Sequence, residues 1–147
     1  NDAPSTITRL QNMGTPDYLI SAACQLVLAQ RLARRTCKEC RVPDEDVTPK
    51  VLQDLGFTAE QASRAKAFKG KGCPKCKDTG YKGRQGIYEI LVVSKPLKEA
   101  ILRQATTPEL REIAIKEGFQ TMQDMGRRLI SSGDLNFREY ERVLTSE

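Results

Sequence analysis

Four of the five cysteines stand in two matched pairs, Cys37-Lys-Glu-Cys40 and Cys73-Pro-Lys-Cys76, and no other feature constrains the folding of the chain as tightly. A Cys-x-x-Cys turn aims two thiolates at one point, and two such turns complete the closed tetrahedral shell that zinc prefers. Cys37, Cys40, Cys73 and Cys76 are therefore expected to hold one structural zinc ion. The chain has no histidine, so the catalytic zinc arrangements that depend on imidazole are excluded, and a closed shell keeps no position open for water. Disulfides suit small secreted scaffolds, whereas this chain has an odd cysteine, no leader-like stretch and enough length to bury a core. A redox Cys-x-x-Cys needs only one pair. The odd cysteine, Cys24, lies in the apolar run Leu19-Ile-Ser-Ala-Ala-Cys-Gln-Leu-Val-Leu28, where a free thiol is expected to pack as a small hydrophobe.

The 147 residues correspond to one ordinary domain, or to one domain carrying a small insertion. No apolar run approaches the roughly 20 residues of a membrane span, and a cytoplasmic chain is expected. The formal net charge of +5 is unevenly placed: six cations (Lys69, Lys71, Lys75, Lys77, Lys82, Arg84) face the single acid Asp78 between positions 69 and 84. A zinc ion with four thiolates is itself anionic, so neutralisation of the metal site explains much of this excess. Docking to an acidic partner is the functional alternative.

Helix signals dominate. Asp2 caps an expected helix from Ala3 to Met13, with Pro4 in its first turn and Gly14 closing it. A longer helix is expected after Pro16 and Asp17, its apolar positions Leu19, Ile20, Ala23, Val27 and Leu28 followed by Arg31, Arg34 and Arg35 near its end. From Cys37 to about Gly80 the pattern breaks into short pieces, including a helix from Thr48-Pro49 to Leu55 and another capped by Thr58 with Gln61 in the capping-box position. Arg84 to Val93 is the one clear strand signal, with Ile87, Glu89, Leu91 and Val93 on one face and Tyr88, Ile90 and Val92 on the other. Two apolar faces imply a covered sheet, yet no partner strand is evident. Glu89, a carboxylate on such a strand, needs a partner, for which Arg84 or Arg9 is available. Further helices are expected over Pro96 to Gln104, Pro108 to Glu117 behind Thr107, and Gln120 to about Ser132, with a last turn capped by Asn136.

Three segments in order carry a family resemblance: Asn1-Asp-Ala-Pro-Ser-Thr-Ile-Thr-Arg-Leu10, Ala29-Gln-Arg-Leu-Ala-Arg34 directly before the first cysteine pair, and Gly80-Tyr-Lys-Gly-Arg-Gln-Gly-Ile-Tyr-Glu-Ile-Leu91 after the second. Together they resemble the C-terminal ATPase domain of the type IV pilus assembly and type II secretion motor family. The first two look more like a pilus extension ATPase than the secretion branch; the segment from Thr121 is looser, with Met125, Asn136 and Phe137 departing from common family choices.

The resemblance implies a fold that is mainly α with little β: the C-terminal half of a RecA-like α/β P-loop ATPase domain carrying a small tetracysteine zinc insertion. It divides the chain into a helical part of that domain over 1–36, a zinc-binding subdomain over 37–80, and a strand plus C-terminal helices over 81–147. The missing strand partners are then expected in the half that this chain lacks. No Gly-x-x-x-x-Gly-Lys-Ser/Thr occurs, so no phosphate cradle and no catalytic residue is assigned here. For the full protein the resemblance implies ATP and magnesium, a homohexamer, and work on an inner-membrane pilus platform protein from the cytoplasmic side. Gln30 and Arg31, a polar pair in the expected long helix, are the candidates for contact with nucleotide or a neighbouring subunit; capping or solvating the helix end is the alternative. A zinc-ribbon nucleic-acid module is the competing class, weakened by having Tyr81 as the only aromatic in the lysine-rich stretch.

Overall fold

The computed structural model describes residues 2–145; Asn1, Ser146 and Glu147, which the expected terminal segments include, lie outside the described residues. In chain order the elements are α1 (Ala3–Asn12), α2 (Asp17–Ala23), β1 (Leu26–Thr36), β2 (Arg41–Pro43), α3 (Pro49–Asp54), α4 (Ala59–Arg64), β3 (Phe68–Gly70), β4 (Tyr81–Val92), α5 (Lys95–Leu102), α6 (Thr107–Lys116), α7 (Met122–Ser132) and α8 (Phe137–Tyr140). A short 3-10 turn occupies Pro74–Cys76, and a π-helical turn over Glu141–Thr145 follows α8. The chain divides into two compact units, one of Asn1–Gln30 with Tyr88–Met122, the other of Arg31–Ile87 with Gln123–Glu147. β1 pairs with β4, and β2 with β3.

Local sequence explains most helix starts. Asp2 accepts the Ser5 amide at 2.9 Å and opens α1, with Pro4 in the first turn, where its missing N–H costs nothing. Thr58 and Gln61 form a complete capping box on α4. Thr106 and Glu109 form another on α6, so the cap is Thr106 rather than Thr107. Asn136 caps α8 by accepting the Glu139 amide at 2.8 Å.

In the first unit, α1, α2, α5 and α6 enclose a core of Ala3, Ile7, Ile20, Leu97, Ala100, Ile101, Leu110 and Ala114, with Val27 and Leu91 from the strands and Val93 directly after β4. Cys24 packs against this core, as expected of a free thiol in that run. Glu89 is buried, and its carboxylate accepts the main-chain N–H groups of Ala3 at 2.6 Å and Met122 at 2.9 Å. These are the first residues of α1 and α7, so one carboxylate satisfies orphan donors at two helix N-termini.

The expected long helix after Asp17 is not formed. α2 ends at Ala23, and Cys24 turns the chain to extended geometry (φ −82°, ψ 116°). From Leu26 to Arg35 burial alternates residue by residue, with Val27 and Ala33 buried and Leu26, Leu28 and Leu32 exposed. The larger apolar residues face outward, which hid the period of two, and pairing with β4 overrides the helical spacing. Gln30 and Arg31 therefore lie on a strand. The strand expected to lack a partner has one within the chain, and β1 and β4 run for 11 and 12 residues, so the expectation of little β understates the strand content. The alternation along β4 is as expected, but its second face is not covered among the described residues: Ile90 is 50% and Val92 64% exposed.

Candidate metal centre

The cysteine site is built at the junctions of four strands in the second unit. β1 delivers Cys37, and Cys40 leads into β2. The antiparallel β2–β3 ribbon, with Arg41 opposite Gly70 and Pro43 opposite Phe68, returns the chain to Cys73. The 3-10 turn then places Cys76, and residues Lys77 (φ 56°) and Asp78 (φ 62°) bend the backbone through the left-handed region towards β4. Main-chain bonds lock the two knuckles together: Cys37 N–H to the Gly80 carbonyl at 3.0 Å and Lys71 N–H to the Cys40 carbonyl at 3.2 Å. Gly70 and Gly80 meet backbone to backbone, and a Cβ on Gly70 would stand 2.2 Å from the Gly80 oxygen. Glycine is required at that crossing.

All four Sγ atoms lie within 4.8 Å of one another. Cys37 to Cys73 and Cys40 to Cys76 are both 3.8 Å, and Cys73 to Cys76 is 3.7 Å. These separations rule out disulfides, whose sulfurs bond at about 2.0 Å, and the cysteines are free. A tetrahedron with metal–sulfur bonds of about 2.3 Å has edges of about 3.8 Å, so the donor set fits a tetrahedral metal such as zinc.

Backbone amides tune the sulfurs unequally. Gly72 N–H donates to Cys40 Sγ at 3.3 Å, while Cys76 Sγ receives both Cys73 N–H at 3.3 Å and Gly80 N–H at 3.2 Å. Burial pushes the Cys40 thiol up to about 12, one amide being too little to offset it beside three other cysteines. Burial acts on Cys76 in the same sense, but the Gly80 and Cys73 amides outweigh it and lower that thiol to about 6. Of these two, Cys76 is the more readily held as thiolate.

The second knuckle leads directly into a clamp that sequence reasoning missed. The Arg34 guanidinium lies 4.1 Å from the centre of the Tyr81 ring, and Asn136 Nδ2 donates to the Tyr81 hydroxyl at 2.9 Å. Glu139, wholly buried, accepts from the Arg34 amide at 2.7 Å, from Arg34 Nε and Nη2 at 3.1 and 2.7 Å, and from Arg142 Nε and Nη2 at 2.8 and 2.7 Å. Burial alone would raise its pKa, yet the bonds from Arg142 and Arg34 hold the carboxyl at about 2. The spacing Asn136-x-x-Glu139-x-x-Arg142 was the available signal, since it places the acid three residues from both the cap and a cation. The remaining candidates are not brought to the cysteines. Gln30 is exposed on β1, and the Arg31 guanidinium donates to the Val143 carbonyl.

Residues 1–142 match the family described as Type II/IV secretion system protein. The chain belongs to that family. It is 38% identical over 139 residues to the type IV pilus assembly ATPase PilB of Myxococcus xanthus, covering 95% of this chain and 25% of that protein. It is 43% identical over 129 residues to PilB of Thermus thermophilus, covering 86% of this chain and 14% of the relative. Type II secretion system ATPase E of Vibrio cholerae is 34% identical over 141 residues, which are 86% of this chain and 27% of that protein. The chain thus spans about a quarter or less of the length of these relatives.

Proposed function

We propose that this chain is the metal-bearing C-terminal part of a hexameric motor ATPase that powers type IV pilus assembly. The observation that carries the proposal is the four-sulfur cluster with metal-sized edges, set in a chain whose family match runs through it. The higher identity to the two pilus ATPases than to the secretion ATPase supports the pilus branch; type II secretion is the alternative within the family. Cys37, Cys40, Cys73 and Cys76 would hold zinc, which supplies a closed structural crosslink and no open coordination position. The zinc-bearing subdomain comprises residues 37–80, with parts of a RecA-like ATPase domain on either side.

ATP, magnesium and phosphoryl transfer belong to the full protein, because these 147 residues contain no P-loop to cradle phosphates. In that protein the subunits form a homohexamer in the cytoplasm, peripheral to the inner membrane, and act on an inner-membrane platform protein. Among the described residues no helix is long and apolar enough to cross a membrane. The chain contributes helical packing and subunit-interface surface. Gln30, exposed on its strand, is the member of the Gln30–Arg31 pair available to nucleotide or a neighbouring subunit, Arg31 being engaged at Val143. The nucleic-acid reading is weakened further, since its one stacking aromatic, Tyr81, is half-buried and already engaged by Arg34. The test is magnesium-dependent ATP hydrolysis and pilus formation by the full-length protein with and without Cys40→Ser. Pilus formation that survives loss of the whole protein, or a purified full-length protein with no ATPase activity, would refute the proposal.

A further inference from the structure

The cations of the second knuckle admit two explanations, neutralisation of the thiolates or display to a partner, and the geometry separates them. Direct neutralisation requires ammonium groups at the sulfurs. The nitrogen donors that reach sulfur are instead the amides of Gly72, Cys73 and Gly80. Lys71, Lys75, Lys77, Lys82 and Arg84 are all exposed, and none has an ion pair or side-chain hydrogen bond among the described residues. Lys69 differs, lying 4.0 Å from Asp44. Five unpaired cations are thus exposed along the second knuckle loop (Lys71, Lys75, Lys77) and the start of β4 (Lys82, Arg84), with Asp78 as the only acid among them.

The loop is also rigid in a way that generic polybasic segments are not. The glycine crossing, the two left-handed residues and the cysteine cluster fix its backbone. From this we infer that Lys71, Lys75, Lys77, Lys82 and Arg84 form a preorganised docking surface for an acidic segment of a partner protein. Adsorption to an anionic lipid surface needs only charge density and gains nothing from fixed positions. A protein partner gains register and specificity from them, and Asp78 inside the patch, repelled by a uniform anionic surface, helps to set that register. Single-stranded nucleic acid is disfavoured because Tyr81, the one aromatic of the stretch, is half-buried and already stacked by Arg34. The inference rests on the motor reading only for the supposition that a protein partner exists; the surface is read from this chain.

The test uses the metal-loaded chain and a poly-glutamate peptide, followed by amide chemical shifts at low ionic strength, in parallel with sedimentation on phosphatidylglycerol vesicles and gel shift on duplex DNA. Peptide-induced shifts should saturate and cluster between residues 71 and 84, and the K71Q/K75Q/K82Q variant should bind about tenfold more weakly, from exposed pairs worth up to about fivefold each. Added salt should erase the difference. The cobalt(II) thiolate absorption of the variant should match wild type, which separates lost docking from lost folding. Equal peptide affinity in the variant, shifts spread over the whole surface, or vesicle or DNA binding that outlasts peptide binding as salt is raised would each overturn the inference. None of these readouts involves ATP, so failure here is distinct from failure of the motor reading.

Discussion

Glu139→Gln removes one charge from the centre of the clamp while keeping side-chain size. The carboxyl sits at about 2 against an ordinary 4.5, and at about 1.4 kcal/mol per pKa unit this corresponds to roughly 3.5 kcal/mol of native-state stabilisation. The partners are half in solvent, Arg34 at 50% and Arg142 at 53% side-chain exposure, so screening reduces the expected loss to about 2 kcal/mol. Glutamine can keep some of the bonds but not their charge assistance. Urea unfolding of metal-loaded wild type and variant at neutral pH should show this difference, equivalent to a melting shift of about 6 °C for a chain of this size. The pH dependence has a fixed sign. A depressed carboxylate contributes fully above its unfolded pKa near 4.5 and loses that contribution as pH falls towards 2. The gap between the proteins should therefore be constant from about pH 7 to pH 5. A difference below about 0.5 kcal/mol, or a gap already shrinking in that range, would refute the clamp as an electrostatic device.

The cysteine site gives two further expectations. Cys40→Ser, or chelation of the metal, should abolish stoichiometric zinc and speed amide exchange over residues 37–80 and, through Tyr81, over 136–145, leaving α5 and α6 unchanged; protection of 37–80 that ignores the metal contradicts this. Gly70→Ala should impair folding of the site and lower metal affinity, because the new Cβ meets the Gly80 carbonyl at 2.2 Å; a variant with wild-type cobalt absorption and stability shows the crossing to be slack. The chain alone should release no phosphate from magnesium ATP above buffer, lacking a P-loop, and turnover that persists through further purification would relocate the chemistry.

The legible parts of the fold were those governed by local chemistry. Asp2, Thr48, Thr58 and Asn136 all cap the helices their neighbours announced, because a side-chain oxygen bonding an amide three residues on is a purely local event. The β1 strand was illegible for the opposite reason. Leu26-Val-Leu-Ala-Gln-Arg-Leu fits a helix as well as a strand by composition, and only β4, more than fifty residues later, decides between them. Its largest side chains also point away from the core, so a rule that sends large apolar residues inward gives the wrong period.

The same division runs through the site. Spacing alone grouped the four cysteines, since each turn is local and the closure of two turns on one ion is the only economical use of both. Nothing in the spacing distinguishes Cys76, with two amide donors, from Cys40, with one; that asymmetry depends on Gly72 and Gly80 approaching from the loops around them. In the sequence Glu139 is simply an acid three residues after the cap Asn136, and its identity as a buried anion depends on Arg34, 105 residues away in sequence. A buried carboxylate costs several kcal/mol unless it is paired, so the pairing that sequence could not supply is what allows Glu139 its place. Because Tyr81 leaves the second knuckle and stacks on the same Arg34 that pairs with Glu139, the loop after the cysteine cluster and the C-terminal turn are linked through one side chain, and a perturbation of either is expected to be felt at the other.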